Sequence, residues 1–300
     1  MIPFVRDFDF TPGRPDQVSP LIRRVVAANP GPFTFTGTGT YIVGHGETAV
    51  IDPGPDLPGH LEALLNALAG ERVSAILVTH THLDHSPLAG PLAWATGARV
   101  LGLPPPRVAE AAVRLDEGHD QAFRPDETVR DGQRIAGPGW TLEAFATPGH
   151  ASNHVCYALL EENALFSGDH VMGWSTTVIS PPDGDMGDYY ASLDKTAARG
   201  FERLWPTHGP PVEDVGPFLE AYKAHRLERE RQILEQLALG LRRIPDIVRV
   251  IYADVDPRLH PAAAHSVLAH LIHLERSARV RRVSAIGSEP EYLIAGSGRI

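Results

Sequence analysis

The sequence predicts an α+β fold in two parts: a large mixed αβ unit followed by a small helical unit closed by a hairpin. Three observations carry this. Short apolar runs with strand character recur through the first two thirds of the 300 residues, separated by Gly and Pro turns. Four polar, His- or Asp-containing segments each follow such a run. After Pro211 the pattern changes to long, charged, helix-prone stretches.

The elements follow in order. Thr38–Val43 and Thr48–Asp52 flank Gly44-His45-Gly46 and read as a hairpin. Leu57–Ala69 has helical apolar spacing and stops at Gly70. Val73–Val78 reads as a short strand, apolar apart from Ser74. Pro87–Ala95 reads as a helix with proline in its first position, followed by a strand near Arg99–Leu101. Further strands are expected at Thr128–Ile135, Thr141–Ala146, His154–Leu160 and Ala164–Phe166. A helix near Tyr189–Ala198 and a strand at Leu204–Pro206 complete the first part. Phe218–Leu239, Ile244–Tyr252 and Pro261–Arg276 read as three helices. Val280–Ile286 and Glu291–Ala295 read as a hairpin around Gly287. Helix, helix, helix, hairpin is a winged-helix order. The boundary is placed near residue 224, giving units 1–224 and 225–300, joined rigidly because the boundary lies within a helix.

Composition narrows the function. A single cysteine, Cys156, allows no internal disulfide, and its apolar strand context predicts a buried, inert thiol. The N-terminal residues lack the basic-then-apolar pattern of a secretory signal. No stretch approaches the roughly 18 apolar residues of a membrane span. A cytoplasmic protein without a membrane partner is the expectation. The net charge of −10 argues against general nucleic-acid affinity. Residues 226–300, however, carry 12 Arg against 9 Asp plus Glu, so an anionic partner would bind there.

The chemistry concentrates in Thr79-His80-Thr81-His82-Leu83-Asp84-His85, directly after the buried strand. His80 and His82 point the same way by the period-two rule, and Asp84 and His85 lie beyond the turn. Imidazole and carboxylate donors suit zinc, and also iron or manganese. Three more strand-end loops add candidates: Thr147-Pro148-Gly149-His150, Ser167-Gly168-Asp169-His170 and Pro206-Thr207-His208-Gly209. Their Gly and Pro residues let the backbone turn sharply at a cavity edge. No GxSxG elbow and no GxxxxGK loop is present, which disfavours a serine hydrolase and a nucleotide-driven enzyme.

The HxHxDH segment with its strand-end His, Asp and His resembles the metallo-β-lactamase superfamily. That resemblance implies an αββα sandwich with two metal ions at one edge. It would place His80, His82 and His150 on one ion and Asp84, His85 and His208 on the other, with Asp169 bridging. The stretches Glu162–Asp169 and Thr207–Pro210, with the C-terminal winged helix, resemble the β-lactamase-like protein 2 group. That group implies hydrolysis, with single-stranded RNA cleavage in a mitochondrial member and a glyoxalase II-like label for bacterial relatives. Asp169 resembles the glyoxalase, lactonase and nuclease branches rather than the exported β-lactamases.

The expected mechanism is a hydroxide shared by two Zn2+ ions about 3.5 Å apart, attacking an ester, thioester or lactone. Asp84 would orient it as well as bind metal. The alternatives are an endoribonuclease guided by Arg276, Arg279, Arg281 and Arg282, a β-lactamase, and a non-catalytic DNA-binding regulator. The partner is thus a small-molecule or RNA substrate. The winged helix is expected to complete the active-site mouth or form a homodimer contact, and specificity to reside in the loop Arg107–Arg124. Asp52, at a strand end, is expected to orient ligands. His154 is expected near the metals or the substrate, and His170, Thr176 and Thr177 along the pocket. Tyr190 reads as core. His260, His265, His270 and His273 read as surface or capping residues.

Overall fold

The computed structural model describes residues 1–107, 118–283 and 289–296. One seven-stranded sheet runs in sequence order: β1 (Pro15–Gln17), β2 (Ile22–Val26), β3 (Gly39–Val43), β4 (Glu47–Ile51), β5 (Arg72–Leu77), β6 (Arg99–Gly102) and β7 (Glu127–Thr128). The first four strands pair antiparallel. The last three join in parallel through crossovers that carry helices α1 (Pro58–Ala67) and α2 (Ala89–Thr96). A five-stranded sheet contains β8 (Arg134–Gly137), β9 (Trp140–Ala146), β10 (Val155–Leu159), β11 (Ala164–Gly168) and, after α3 (Met186–Arg199), β12 (Arg203–Pro206).

The two sheets face each other. Tyr41, Ile51 and Leu77 of the first sheet pack with Trp140, Leu142, Tyr157 and Phe166 of the second in one buried core. Helices α1 and α2 cover the outer face of the first sheet through Leu64, Leu68 and Leu92. Helices α3 and α4 (Val215–Ala238) cover the second through Tyr189, Leu193, Phe218 and Tyr222. Central strands such as β3, β10 and β11 are buried on both faces, so they read as apolar runs rather than alternating ones. The αββα sandwich is therefore as expected.

The C-terminal part adds α5 (Ile244–Ile251), α6 (His260–Arg276) and the hairpin β13 (Val280–Val283) and β14 (Glu291–Ile294). Ile233, Ile247, Val267, Leu271 and Tyr292 form its own core. Residue 224, where the sequence places the boundary, lies inside α4. The turn expected at Gly287, and most of the loop 107–124, lie outside the described residues. No described helix is long and apolar enough to cross a membrane.

Two expectations change, and two strands form where none was expected. The strand expected at Thr128–Ile135 is two strands in different sheets. Gly132, at φ +76, turns the chain between them while the Gln133 amide donates to the Arg130 carbonyl. Helix α2 starts at Ala89, after Pro87, with Leu88 as its N-cap and the Leu88 amide donating to the Gly54 carbonyl. Strands β1 and β2 carry no strand signal in the sequence: β1 is the polar stretch Pro15-Asp16-Gln17, and in β2 Arg23 and Arg24 interrupt the apolar run. Arg23 pairs with Glu71, and Arg24 lies under the Phe8 ring at 4.6 Å.

Candidate metal centre

The ends of β4, β5, β9, β11 and β12 meet at one edge of the sandwich. All seven residues singled out in the sequence converge there, each buried. His80 Nε2 lies 2.9 Å from His82 Nδ1, and His150 Nε2 lies 3.2 Å from the same atom. On the other side, Asp84 Oδ2 lies 3.0 Å from His208 Nε2 and 3.2 Å from His85 Nε2. Asp169 stands between the two sets. Its Oδ1 is 3.4 Å from His208 Nε2 and 3.7 Å from His85 Nε2, while its Oδ2 is 3.7 Å from His150 Nε2. The donor atoms of three groups each lie within 4.8 Å of one another: His80, His82 and His150; His80, His85 and Asp169; and Asp84, His85 and His208.

The backbone at these strand ends is held in shapes only certain residues tolerate. Gly168, at φ +53, passes so close to its neighbours that a Cβ would sit 2.7 Å from His154 Nε2. Asp52, fully buried at φ +49, accepts hydrogen bonds from the Thr79 amide and hydroxyl, the Thr207 hydroxyl and His85 Nδ1. It thereby ties the ends of three strands together and turns His85 Nε2 toward Asp84 and Asp169. His154 accepts the Asp169 amide on Nε2 at 3.1 Å. Its Nδ1 therefore carries the proton and donates to Thr147 Oγ1. With no exposed surface, His154 lies beside the Asp169 backbone rather than on the cleft wall.

The electrostatics favour a cation. Burial drives His80 and His82 well below the ordinary imidazole value, with the neighbouring imidazoles adding to it, so both present neutral donors. Burial alone would also lower His85 and His208. The carboxylates of Asp84 and Asp169 outweigh it and raise both. Burial opposes ionisation of Asp84 too, yet His85 and His208 pull its carboxyl well below the usual range. The carboxylates thus demand positive charge at this spot. His85 Nε2 and Asp169 Oδ1, both buried, have no hydrogen-bond partner. Two orphaned donor atoms facing each other, among imidazole and carboxylate ligands, fit divalent cations.

A cleft opens over this cluster. Its lining includes His82, Asp84, His150, Asp169 and His208 at the base, with Pro32, Phe33, Met172, Trp174 and Val178 as apolar walls. Thr176 lines it, whereas Thr177 and His170 are buried behind it. His170 Nε2 meets Thr196 Oγ1 at 3.0 Å, and burial pushes its pKa down to about 3. The lining among the described residues runs from Pro32 to His208 and takes in no residue of the winged helix, which was expected either to complete the mouth or to form a dimer contact. Arg226, on the winged-helix side of the boundary, meets the wall segment from behind by donating to the Thr177 carbonyl. Cys156 is buried and burial pushes its thiol up to about 12, in keeping with an inert residue. Tyr190 lies in the core. His270 is fully buried with neither ring nitrogen hydrogen-bonded, not at the surface as expected.

The sequence reading missed His119 and Thr38. The His119 ring lies 4.6 Å from that of His82, with Nδ1 at Thr81 Oγ1 and Nε2 at Asp183 Oδ2. Thr38 donates to Asp84 Oδ2 at 3.4 Å. His119 stands alone in a loop with no motif around it, so no sequence signal distinguishes it from the other histidines.

Comparison with known proteins gives the family of the chain. The profile of the metallo-beta-lactamase superfamily matches residues 34–208, and that of the beta-lactamase associated winged helix domain matches 244–288. The chain is 34% identical to the beta-lactamase-like protein 2 homolog of Caenorhabditis elegans, covering 84% of this chain and 83% of that one. It is 35% identical to the atrochrysone carboxyl ACP thioesterase of Aspergillus chevalieri, over 75% of this chain and 69% of that one. The crystal structure of a metallo-beta-lactamase family protein from Thermus thermophilus superposes with a TM-score of 0.74 at 25% identity. That match covers 92% of this chain and 99% of the other.

Proposed function

Because the chain belongs to the metallo-β-lactamase superfamily and is a metal-dependent hydrolase of that family, we propose that its centre is dinuclear and acts on an ester, thioester or lactone. His80, His82 and His150 would hold one cation, and Asp84, His85 and His208 the other. Asp169 would bridge them. The observation that carries this is the Asp169 carboxylate, whose two oxygens face different histidine sets. Neutral imidazoles with carboxylates suit zinc, with iron or manganese as substitutes. In this reading residues 1–224 carry the chemistry and residues 225–300 support it.

When bound, two such cations supply a nucleophile from water at neutral pH and polarise the electrophilic carbonyl. The chain's own residues do the rest. Asp84 has its Oδ2 fixed by Thr38 and His208, which suits it to orient the attacking water. Asp52 and His154 keep His85 and Asp169 in place. Phe33, Met172 and Trp174 exclude bulk water and face the apolar part of the substrate. A neutral acyl group suits these walls better than a polyanion, since the described lining holds no Lys or Arg. The thioesterase named among the similar proteins supports the same class. The RNA alternative has less support, because Arg276 and Arg279 are engaged with Asp185 and Glu230.

The test is elemental analysis followed by a turnover screen over thioesters, lactones and phosphodiesters. Close to two transition-metal ions per chain and turnover of a thioester or lactone are expected. Well under one ion after zinc-supplemented expression, or turnover of phosphodiesters alone, overturns the reading.

A further inference from the structure

The wall of the cleft formed by Ser175, Thr176 and Val178 belongs to an irregular segment between β11 and α3. Such a segment must have its backbone groups satisfied by something other than a sheet or helix. Here one helix satisfies three of them with two side chains. The Thr177 amide donates to the Tyr222 hydroxyl oxygen at 2.6 Å, and the Tyr222 hydroxyl donates to the Ser175 carbonyl at 3.0 Å. One turn further along α4, the Arg226 guanidinium donates to the Thr177 carbonyl. The i, i+4 spacing puts both side chains on one face of the helix. Both are buried, Tyr222 at 0% and Arg226 at 4% exposure. The chain of contacts goes on to the metal centre, since the Thr177 hydroxyl donates to the backbone carbonyl of Asp169 at 2.9 Å.

We propose that Tyr222 and Arg226 are positioning residues that set the substrate wall, making α4 a functional part of the hydrolase site. This rests on the reading of the cleft as the substrate site. Neither side chain lines the cleft, so neither touches the substrate. Their effect is to hold residues 175–178 in one conformation, with Thr177 relaying that order to the Asp169 backbone. Helix α4 continues into the C-terminal core through Ile233 and Leu237, so the winged helix anchors the clamp from the far end.

The experiment compares wild type with Tyr222→Phe and Arg226→Met. The first variant keeps the ring, which packs on Phe218 at 5.7 Å, and removes only the hydroxyl. The second keeps the apolar stem and removes the donor. Amide hydrogen exchange is measured by mass spectrometry on chelated, metal-free protein, so the result does not depend on catalysis. Exchange in peptides covering 172–180 should be at least tenfold faster in both variants, with β9, β10 and β11 unchanged. In metal-loaded protein, KM for the substrate found in the turnover screen should rise at least fivefold with kcat within threefold and metal content unchanged. Unaltered exchange at 172–180 in both variants overturns the proposal. So does faster exchange spread through β9–β11, which marks general destabilisation. If wild type turns over no ester, thioester or lactone, the functional reading fails while the exchange result still decides the clamp.

Discussion

Asp52 and His85 are joined by a 2.9 Å hydrogen bond from the imidazole Nδ1 to Asp52 Oδ2, both side chains being fully buried. The bond fixes the tautomer of His85 and leaves Nε2 as the atom presented to Asp84 and Asp169. Partners of this kind raise ligand basicity and fix the ring, and their loss costs roughly 10–100-fold in metal affinity or activity. Asp52→Asn keeps the shape but can offer His85 only one neutral acceptor. It should weaken metal binding by about 10-fold or more, measured by competition with a chromogenic chelator. An unchanged affinity would mean that His85 is not a ligand.

Asp169 is the one proposed ligand whose oxygens face both histidine sets. Asp169→Ala should therefore lower the stoichiometry for both cations, not one, and cut turnover by several orders of magnitude. The far-ultraviolet circular dichroism spectrum should stay that of wild type, because Asp169 sits in a loop after β11. Elemental analysis showing one ion retained at full affinity, or near-normal turnover, contradicts the bridging position.

A pH effect follows from His60. The Thr40 hydroxyl donates its only proton to the Asp52 carbonyl at 2.7 Å, so it must accept from His60 Nε2 at 2.9 Å. His60 Nδ1 is then a buried orphan, and burial pushes the pKa down to about 4. The folded value lies below the unfolded one, near 6.5. The unfolded chain therefore binds the extra proton between these values. The contribution is fully present above pH 6.5 and is lost as pH falls toward 4, by about 3 kcal/mol in all. Urea denaturation of metal-free protein at pH 7, 5.5 and 4.5 should show a shallower pH slope for His60→Gln than for wild type. Parallel slopes would refute this.

How much of the site was legible in the sequence depends on chain distance. The seven candidate ligands were readable because each lies at a strand end beside residues that turn the backbone, and four of them fall within six positions. Asp52 was readable for the same reason. Contacts made across the fold left no such mark. His119 meets Asp183, 64 positions away, and Tyr222 meets Ser175, 47 positions away. The burial of His270 was equally hidden, because a histidine on an amphipathic helix looks the same whether its face is solvated or covered. Strand β2 was obscured by two arginines whose charges are satisfied by Glu71 and an aromatic ring that only the tertiary fold supplies.

The four C-terminal arginines do not form one functional set, and their differences give the last prediction. Arg279 pairs with Glu230, whose side chain is only 5% exposed. Removing the guanidinium leaves a buried carboxylate with His273 Nε2 at 3.9 Å as its nearest compensating group. Breaking one side of a buried pair costs roughly 3–5 kcal/mol, less here because Arg279 itself is half exposed. Arg276 pairs with Asp185, the residue that caps α3 by accepting the Gly187 and Asp188 amides. Those capping bonds survive its loss, and an exposed pair contributes only about 0–1 kcal/mol. Arg281 and Arg282 lie exposed on β13. Thermal unfolding should therefore rank Arg279→Ala as clearly the most destabilised, Arg276→Ala as mildly so, and the Arg281→Ala/Arg282→Ala double variant as wild type. The double variant should also keep turnover of a small ester within twofold. Guidance of RNA would require something different: cleavage that falls steeply with salt, as counterion release dictates, and a loss of at least tenfold in the double variant despite its intact stability. That combination would move the function to nucleic acid and leave the apolar cleft walls without the role proposed for them.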